Sequence, residues 1–224
     1  YGMPADVCSP HRVAMGLSKA GMVPRPTFIV STATTCDQTV KLYELMADYY
    51  KAPSFLVDTP YAWRENDVEY ARRDIKSLIR FVEEQTRQKL VYDRLKEVLH
   101  LSRQAYDYWE MGCELRKAVP CPIIGRENLK DFAMMLMNMG RPEAVEYFKV
   151  RYEELKYKVD RGEGAIPVEK YRVAWLYVLP LFDLRIADWM AQELQALIVV
   201  DNWSFSTPGV TLDPDEPIDY LARK

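Results

Sequence analysis

Two cysteines carry the clearest chemistry in this sequence, Cys8 in Ala5-Asp6-Val7-Cys8-Ser9-Pro10-His11-Arg12 and Cys36 in Thr34-Thr35-Cys36-Asp37-Gln38-Thr39. Each stands immediately before a predicted helix start. Ser9 followed by Pro10 has the pattern of a cap residue and a first-turn proline, and Asp37 is a candidate cap for a helix carrying Val40, Leu42, Tyr43, Leu45 and Met46. Both thiols are therefore expected at helix starts, where the helix dipole favours an anion. The thiolate is the form that binds metals and attacks electrophiles, so two such positions on neighbouring turns could share one metal centre. The spacing of Cys8 and Cys36 matches no compact zinc pattern, and two buried cysteines acting as small apolar residues is the ordinary alternative.

The remaining candidates are weaker. Cys113 lies inside a long helical pattern and Cys121 in the loop Val119-Pro120-Cys121-Pro122, and both are expected to be structural. His11 could face a ligand from the first turn of its helix or serve packing, and His100 is expected on a helix surface or in helix packing. Asp37, Glu44, Asp58 and Asp201 fall at or near predicted sheet edges, as acid/base groups or as caps. The run Met134-Met135-Leu136-Met137 with Met139 has the spacing of a buried helical face. No glycine-rich phosphate loop and no nucleophile elbow occurs, which leaves nucleotide hydrolysis, nicotinamide chemistry and serine hydrolysis unsupported.

The elements that must position these residues follow from periodicity. Phe28 to Thr32 forms a short apolar strand, Thr39 to Tyr50 a helix, and Ser54 to Asp58 a second strand ended by Thr59-Pro60. A βαβ unit of this kind has parallel strands and puts Cys36 and Asp58 at the carboxyl ends of neighbours, the edge where open α/β sheets bind ligands. From about Asp67 to Gly164 the period becomes helical, with Val68, Ala71, Ile75, Leu78, Ile79 and Val82 along one face. Further helices are predicted at Tyr92–Lys117, Arg126–Met139 and Pro142–Val159. A second α/β pattern follows, with strands at Arg172–Val178 and Ala196–Asp201 around a helix at Asp183–Leu194. The predicted class is α/β: two Rossmann-like (flavodoxin-like) parallel-sheet units separated by a helical layer. The expected boundaries are 1–63, 64–165 and 166–224.

Composition narrows the partners. With 224 residues, 49% of them apolar, the chain can bury a substantial core. Thirty basic and 33 acidic side chains give a net charge of −3 without a basic stripe, so neither nucleic acid nor a membrane surface is an expected partner. The Trp175–Val200 region is interrupted by Asp183, Arg185, Asp188 and Glu193 and is not expected to cross a membrane. Four scattered cysteines without a signal peptide fit a reducing, cytoplasmic location. The sequence begins at Tyr1 and is expected to be part of a longer protein.

Several segments together resemble the 2-hydroxyacyl-CoA dehydratase family, which also contains benzoyl-CoA reductase subunits. They are Asp6 to Arg12, Pro24-Arg25-Pro26, Thr35-Cys36-Asp37-Gln38-Thr39-Val40-Lys41-Leu42-Tyr43-Glu44, and Val57-Asp58-Thr59-Pro60-Tyr61. Leu115-Arg116-Lys117, Ile124-Gly125-Arg126-Glu127 and Asp213 to Pro217 extend the likeness along nearly the whole chain. The resemblance implies a 4Fe-4S cluster held by three cysteines per subunit, with Cys8 and Cys36 matching the first two and the third lying beyond Lys224. It also implies an acyl-CoA substrate, a homologous second subunit or homodimer, and an ATP-dependent iron–sulfur activator protein. In the implied reaction the activator delivers one low-potential electron, the thioester carbonyl becomes a ketyl radical, the neighbouring hydroxyl leaves as water, and the electron is recovered. The same resemblance leaves open an ATP-coupled reductase of the benzoyl-CoA or double-cubane (8Fe-9S) type, and a non-catalytic scaffold subunit.

Overall fold

A computed structural model describes residues 7–33, 36–60, 64–176, 180, 183–202 and 213–223. The chain divides into two compact units, one made of residues 1–92 and 215–224 and the other of residues 93–214.

The first unit is built on a βαβ element. Strands β1 (Ile29–Thr32) and β2 (Ser54–Val57) pair in parallel from Ile29 opposite Ser54 to Thr32 opposite Val57. Helix α2 (Asp37–Tyr50) makes the crossover and buries Leu42 and Ala47. Helix α1 (Ser9–Lys19) packs beside α2, and α3 (Glu65–Thr86) lies against β2. Phe81 of α3 meets Phe28, the residue before β1, and Phe55 of β2 at ring separations of 5.7 and 5.5 Å, which fastens the helix to the sheet. The short helix α8 (Pro217–Arg223) returns to this unit and packs along α3.

The second unit holds α4 (Tyr92–Leu115), α5 (Glu127–Asn138), α6 (Pro142–Asp160), β3 (Tyr171–Trp175), α7 (Arg185–Glu193) and β4 (Ala196–Asp201). Strands β3 and β4 are parallel, with a register shift at Val173/Ala174. Leu197 and Ile198, adjacent in β4, are 1% and 2% exposed, so both faces of this strand are covered. One face meets Cys121, Ile123, Leu155 and Ala191, and the other meets Ala187. A second apolar cluster joins Ala105 and Trp109 of α4 to Ala144 and Phe148 of α6. Gly140 closes the turn between α5 and α6 at φ +83°, and a side chain there would lie 2.5 Å from Val98.

The two parallel strand pairs with helical crossovers are as the sequence implies. The expected strand Arg172–Val178 is met by β3, and its Tyr177 and Val178 lie outside the described residues. Two details differ. Helix α7 begins at Arg185 rather than Asp183, because the Asp183 carboxylate accepts the Arg185 backbone N–H at 3.1 Å and stands outside the first turn. The methionine run is split: Met134, Met135 and Met139 pack on the Trp109 cluster, whereas Leu136 and Met137 are exposed. Helix α3 belongs to the first unit and α4, α5 and α6 to the second. Among the described residues no helix is long and apolar enough to cross a membrane.

Candidate metal centre

Cys8 and Cys36 are themselves the N-cap residues of α1 and α2. This corrects the assignment of Ser9 and Asp37 as caps, since both are the first residues inside their helices. The Cys8 carbonyl accepts the His11 and Arg12 backbone N–H groups at 3.1 and 3.3 Å, and the Cys36 carbonyl accepts that of Thr39 at 2.9 Å. Neither side chain makes a capping hydrogen bond. Both cysteines are exposed, which overturns the alternative of two buried apolar thiols.

Two hydrogen bonds tie the helix starts together. The Cys8 backbone N–H donates to Gln38 Oε1 at 3.0 Å, and His11 Nε2 lies 3.1 Å from Thr39 Oγ1. The second residue of α2 is thus bound directly to the cap of α1. Each helix N-terminus carries roughly half a positive charge, so the paired starts form a local field that favours an anionic ligand. His11 Nδ1 is buried without a hydrogen-bond partner among the described residues, a polar atom left available in the first turn of α1. Soft thiolate donors, a favourable dipole and an unsatisfied polar atom suit an anionic iron–sulfur group. Among the described residues no three His, Cys, Asp or Glu side chains are grouped to hold a metal ion, and Cys8 and Cys36 are the exposed thiols there.

At the carboxyl edge of the first sheet, Asp58 directly follows β2, as the βαβ pattern requires. Its backbone N–H donates to Asp74 Oδ2 at 3.0 Å and its carboxylate accepts Tyr70 OH at 2.8 Å. Burial moves the Asp74 carboxyl upward from its ordinary range, and the hydrogen bond to Asp58 moves the Tyr70 phenol upward. Glu44 is an exposed partner of Lys41 on α2, 2.8 Å away.

The second unit uses the same residue types differently. Burial pushes the Cys113 thiol up to about 12, and Cys121 is buried against the Ile123 carbonyl with its thiol also pushed up by burial. Their burial is in keeping with the structural roles expected for both. Asp201 is 1% exposed at the end of β4, held by the Asn128 amide and faced by the Arg116 guanidinium at 3.6 Å. Beside it Asp131, whose carboxyl is pushed upward by burial, accepts Tyr147 OH at 2.8 Å and faces Arg151 Nε at 3.7 Å. Arg151 also binds Glu127. Asp201 is therefore a buried structural partner rather than an exposed acid/base group. His100 is exposed on α4.

Sequence reasoning missed this buried ionic network. Asn128 and Asp131 occupy the covered face of α5 at a spacing of three, and polar residues on an apolar face were the available signal.

Fold and site together describe an α/β protein with exposed cysteines at two helix starts that hydrogen bonds join beside the carboxyl edge of a parallel sheet. Residues 1–224 match the family described as 2-hydroxyglutaryl-CoA dehydratase, D-component, and the chain belongs to that family. It is 26% identical over 172 residues to the (R)-phenyllactyl-CoA dehydratase alpha subunit of Clostridium sporogenes, covering 73% of this chain and 42% of that protein. It is 27% identical over 156 residues to the alpha subunit of (R)-2-hydroxyglutaryl-CoA dehydratase of Acidaminococcus fermentans, covering 67% of this chain and 33% of that protein. With a benzoyl-CoA reductase subunit of Thauera aromatica the identity is 26% over 245 residues, covering 99% of this chain and 57% of that protein. The chain thus spans between a third and about three fifths of the length of these relatives.

Proposed function

We propose that this chain is part of an iron–sulfur subunit of a 2-hydroxyacyl-CoA dehydratase-like enzyme. The observation that carries the reading is the pair of exposed N-cap thiols, Cys8 and Cys36, on helix starts bound to each other through Gln38 and Thr39. Family membership supports it, as do the names of relatives that are alpha subunits of such dehydratases. Cys8 and Cys36 would hold a 4Fe-4S cluster with a third thiolate from outside the described residues. When bound, such a cluster supplies one-electron chemistry next to an acyl-CoA thioester. The chain's own part is to present two thiolates in the field of two helix N-termini, with Gln38, Thr39 and His11 fixing their separation.

In this reading an ATP-dependent activator protein supplies one low-potential electron, a homologous subunit completes the enzyme, and water leaves the acyl-CoA with the electron returned. The two parallel strand pairs would belong to flavodoxin-like domains over 1–63 and 166–224, joined through the helices of 64–165. A reductase is the second reading, because the alignment to the Thauera aromatica protein covers 99% of this chain, more than the dehydratase alignments do. In that case electrons stay with the product.

Iron and acid-labile sulfide on the full-length protein, purified without oxygen alongside a Cys36→Ser variant, test the proposal. About four of each per subunit, lost in the variant, is the expected result. About eight irons moves the reading to a double-cubane reductase. No iron after reconstitution sinks both and leaves a scaffold subunit. Product analysis separates the first two, since net reduction of an acyl-CoA excludes the dehydratase.

A further inference from the structure

The apolar face that the sequence marks on α3 is not wholly used for packing. Within the first unit, Val68, Ala71, Ile75 and Leu78 of this face line a cavity of about 410 Å³ together with Leu221 of α8. The cavity reaches Thr32 and Asp58 at the carboxyl ends of β1 and β2, the sheet edge from which the chain runs on to Cys36. Its volume is in the range of small-molecule sites, roughly 300–1,000 Å³, and its place is where open α/β sheets bind ligands.

The wall formed by α8 is fastened rather than loosely laid on. Arg72 Nε of α3 donates to Asp219 Oδ1 at 2.9 Å, Arg223 Nε donates to Asp219 Oδ2 at 2.9 Å, and Arg223 also reaches Glu65 at 3.0 Å. The charged groups of the lining are of one sign. Asp58, Asp67 and Asp74 line the cavity, and among the described residues no Lys or Arg does so. Their oxygens already accept hydrogen bonds from Tyr70 OH, the Arg64 backbone and the Asp58 backbone, which orders the carboxylates at their positions. The apolar walls favour an apolar group, and the three carboxylates repel an anion that would enter beside them.

We propose that this cavity binds an uncharged apolar group of the size of a short acyl chain, and that Asp58, Asp67 and Asp74 determine specificity by rejecting a group that ends in a carboxylate. The proposal deepens the acyl-CoA reading and its biological meaning rests on that reading, but the binding itself does not need it.

The test uses the full-length protein with isotope-labelled Ile, Leu and Val methyl groups and two probes of one shape, 4-methylpentanamide and 4-methylpentanoate. The amide is expected to shift the Ile75 and Leu221 methyl resonances saturably at pH 7, with the carboxylate at least about tenfold weaker. Ala71→Leu, which fills the cavity, is expected to abolish the response, and Asp58→Asn with Asp74→Asn to bring the carboxylate to within about threefold of the amide. No shift at Ile75 or Leu221, or equal affinity for the two probes in the native protein, overturns the proposal. If Ala71→Leu does not fold, the charge variant alone decides between these outcomes. A saturable amide response in a protein that turns over no acyl-CoA supports the cavity and sinks the dehydratase-like reading. Turnover of an acyl-CoA with no amide response sinks the cavity and leaves that reading in place.

Discussion

Both units of this protein are built on a parallel strand pair with a helical crossover, yet they place cysteine and carboxylate in opposite environments. In the first, Cys8 and Cys36 are exposed at helix starts and Asp58 stands at an open sheet edge. In the second, Cys113 is half-buried, Cys121 buried, and Asp201 enclosed between Arg116 and Asn128. The difference lies in cover. Strand β4 is buried along most of its length, whereas β2 alternates exposed and half-buried residues. Where helices close over both faces, a polar side chain must find a protein partner, and its chemistry is spent on folding. Where the sheet edge stays open, the same side chain is available to a ligand.

The sharpest way to break this contrast is thiol labelling of the cluster-free protein. Cys8 and Cys36 should react promptly, with Cys113 and Cys121 at least about 100-fold slower because they wait for local opening. Prompt reaction at Cys113 removes the distinction between the units.

Next in size is Arg116→Met. It removes the guanidinium that faces the buried Asp201 carboxylate and should cost about 3–5 kcal/mol in urea unfolding. A loss no greater than that of an ordinary surface substitution would show that the buried pair contributes nothing.

Alkaline pH gives an independent check on the second unit. The folded Cys113 thiol is raised to about 12 from an ordinary 9.0, so the native state holds its proton more tightly than the unfolded chain. Its contribution is complete below pH 9 and is lost as pH rises through 12, by up to about 4 kcal/mol. Cys113→Ala should flatten stability over that window relative to the native protein, and parallel curves would contradict the burial argument.

Gly140→Ala should cost about 1–3 kcal/mol, because it strains a residue at φ +83° and meets Val98. The smallest effect belongs to the candidate metal centre. In the cluster-free protein, Cys8→Ser with Cys36→Ser should lower stability by no more than about 0.5 kcal/mol, since both thiols are exposed, neither caps its helix through its side chain, and Ser is a favoured N-cap residue. A larger loss would mean that these residues serve the fold.

Much of the architecture was legible in advance. The run Phe28 to Thr32, the helical pattern after Cys36 and the run Ser54 to Asp58 located β1, α2 and β2, and β4 lies where the apolar run Ala196–Asp201 put it. The helix starts were located but their caps were displaced by one residue. Ser9 and Asp37 have preferred cap side chains, while the backbone makes Cys8 and Cys36 the caps, the latter at φ −175°. The buried network escaped detection because Arg116, Asn128 and Asp201 come from three separate segments. The same limit applies to α3: its apolar stripe looks identical whether it meets a neighbour or lines a void.

Local order was thus set by the sequence itself, because periodicity, turn residues and the position of a thiol before a helix act within a few residues of chain. Family membership, too, is written in residue types along the whole chain. Only the tertiary structure decided which cysteines meet solvent, which carboxylates are enclosed and where a cavity remains, because burial depends on what residues distant in sequence bring to the same place.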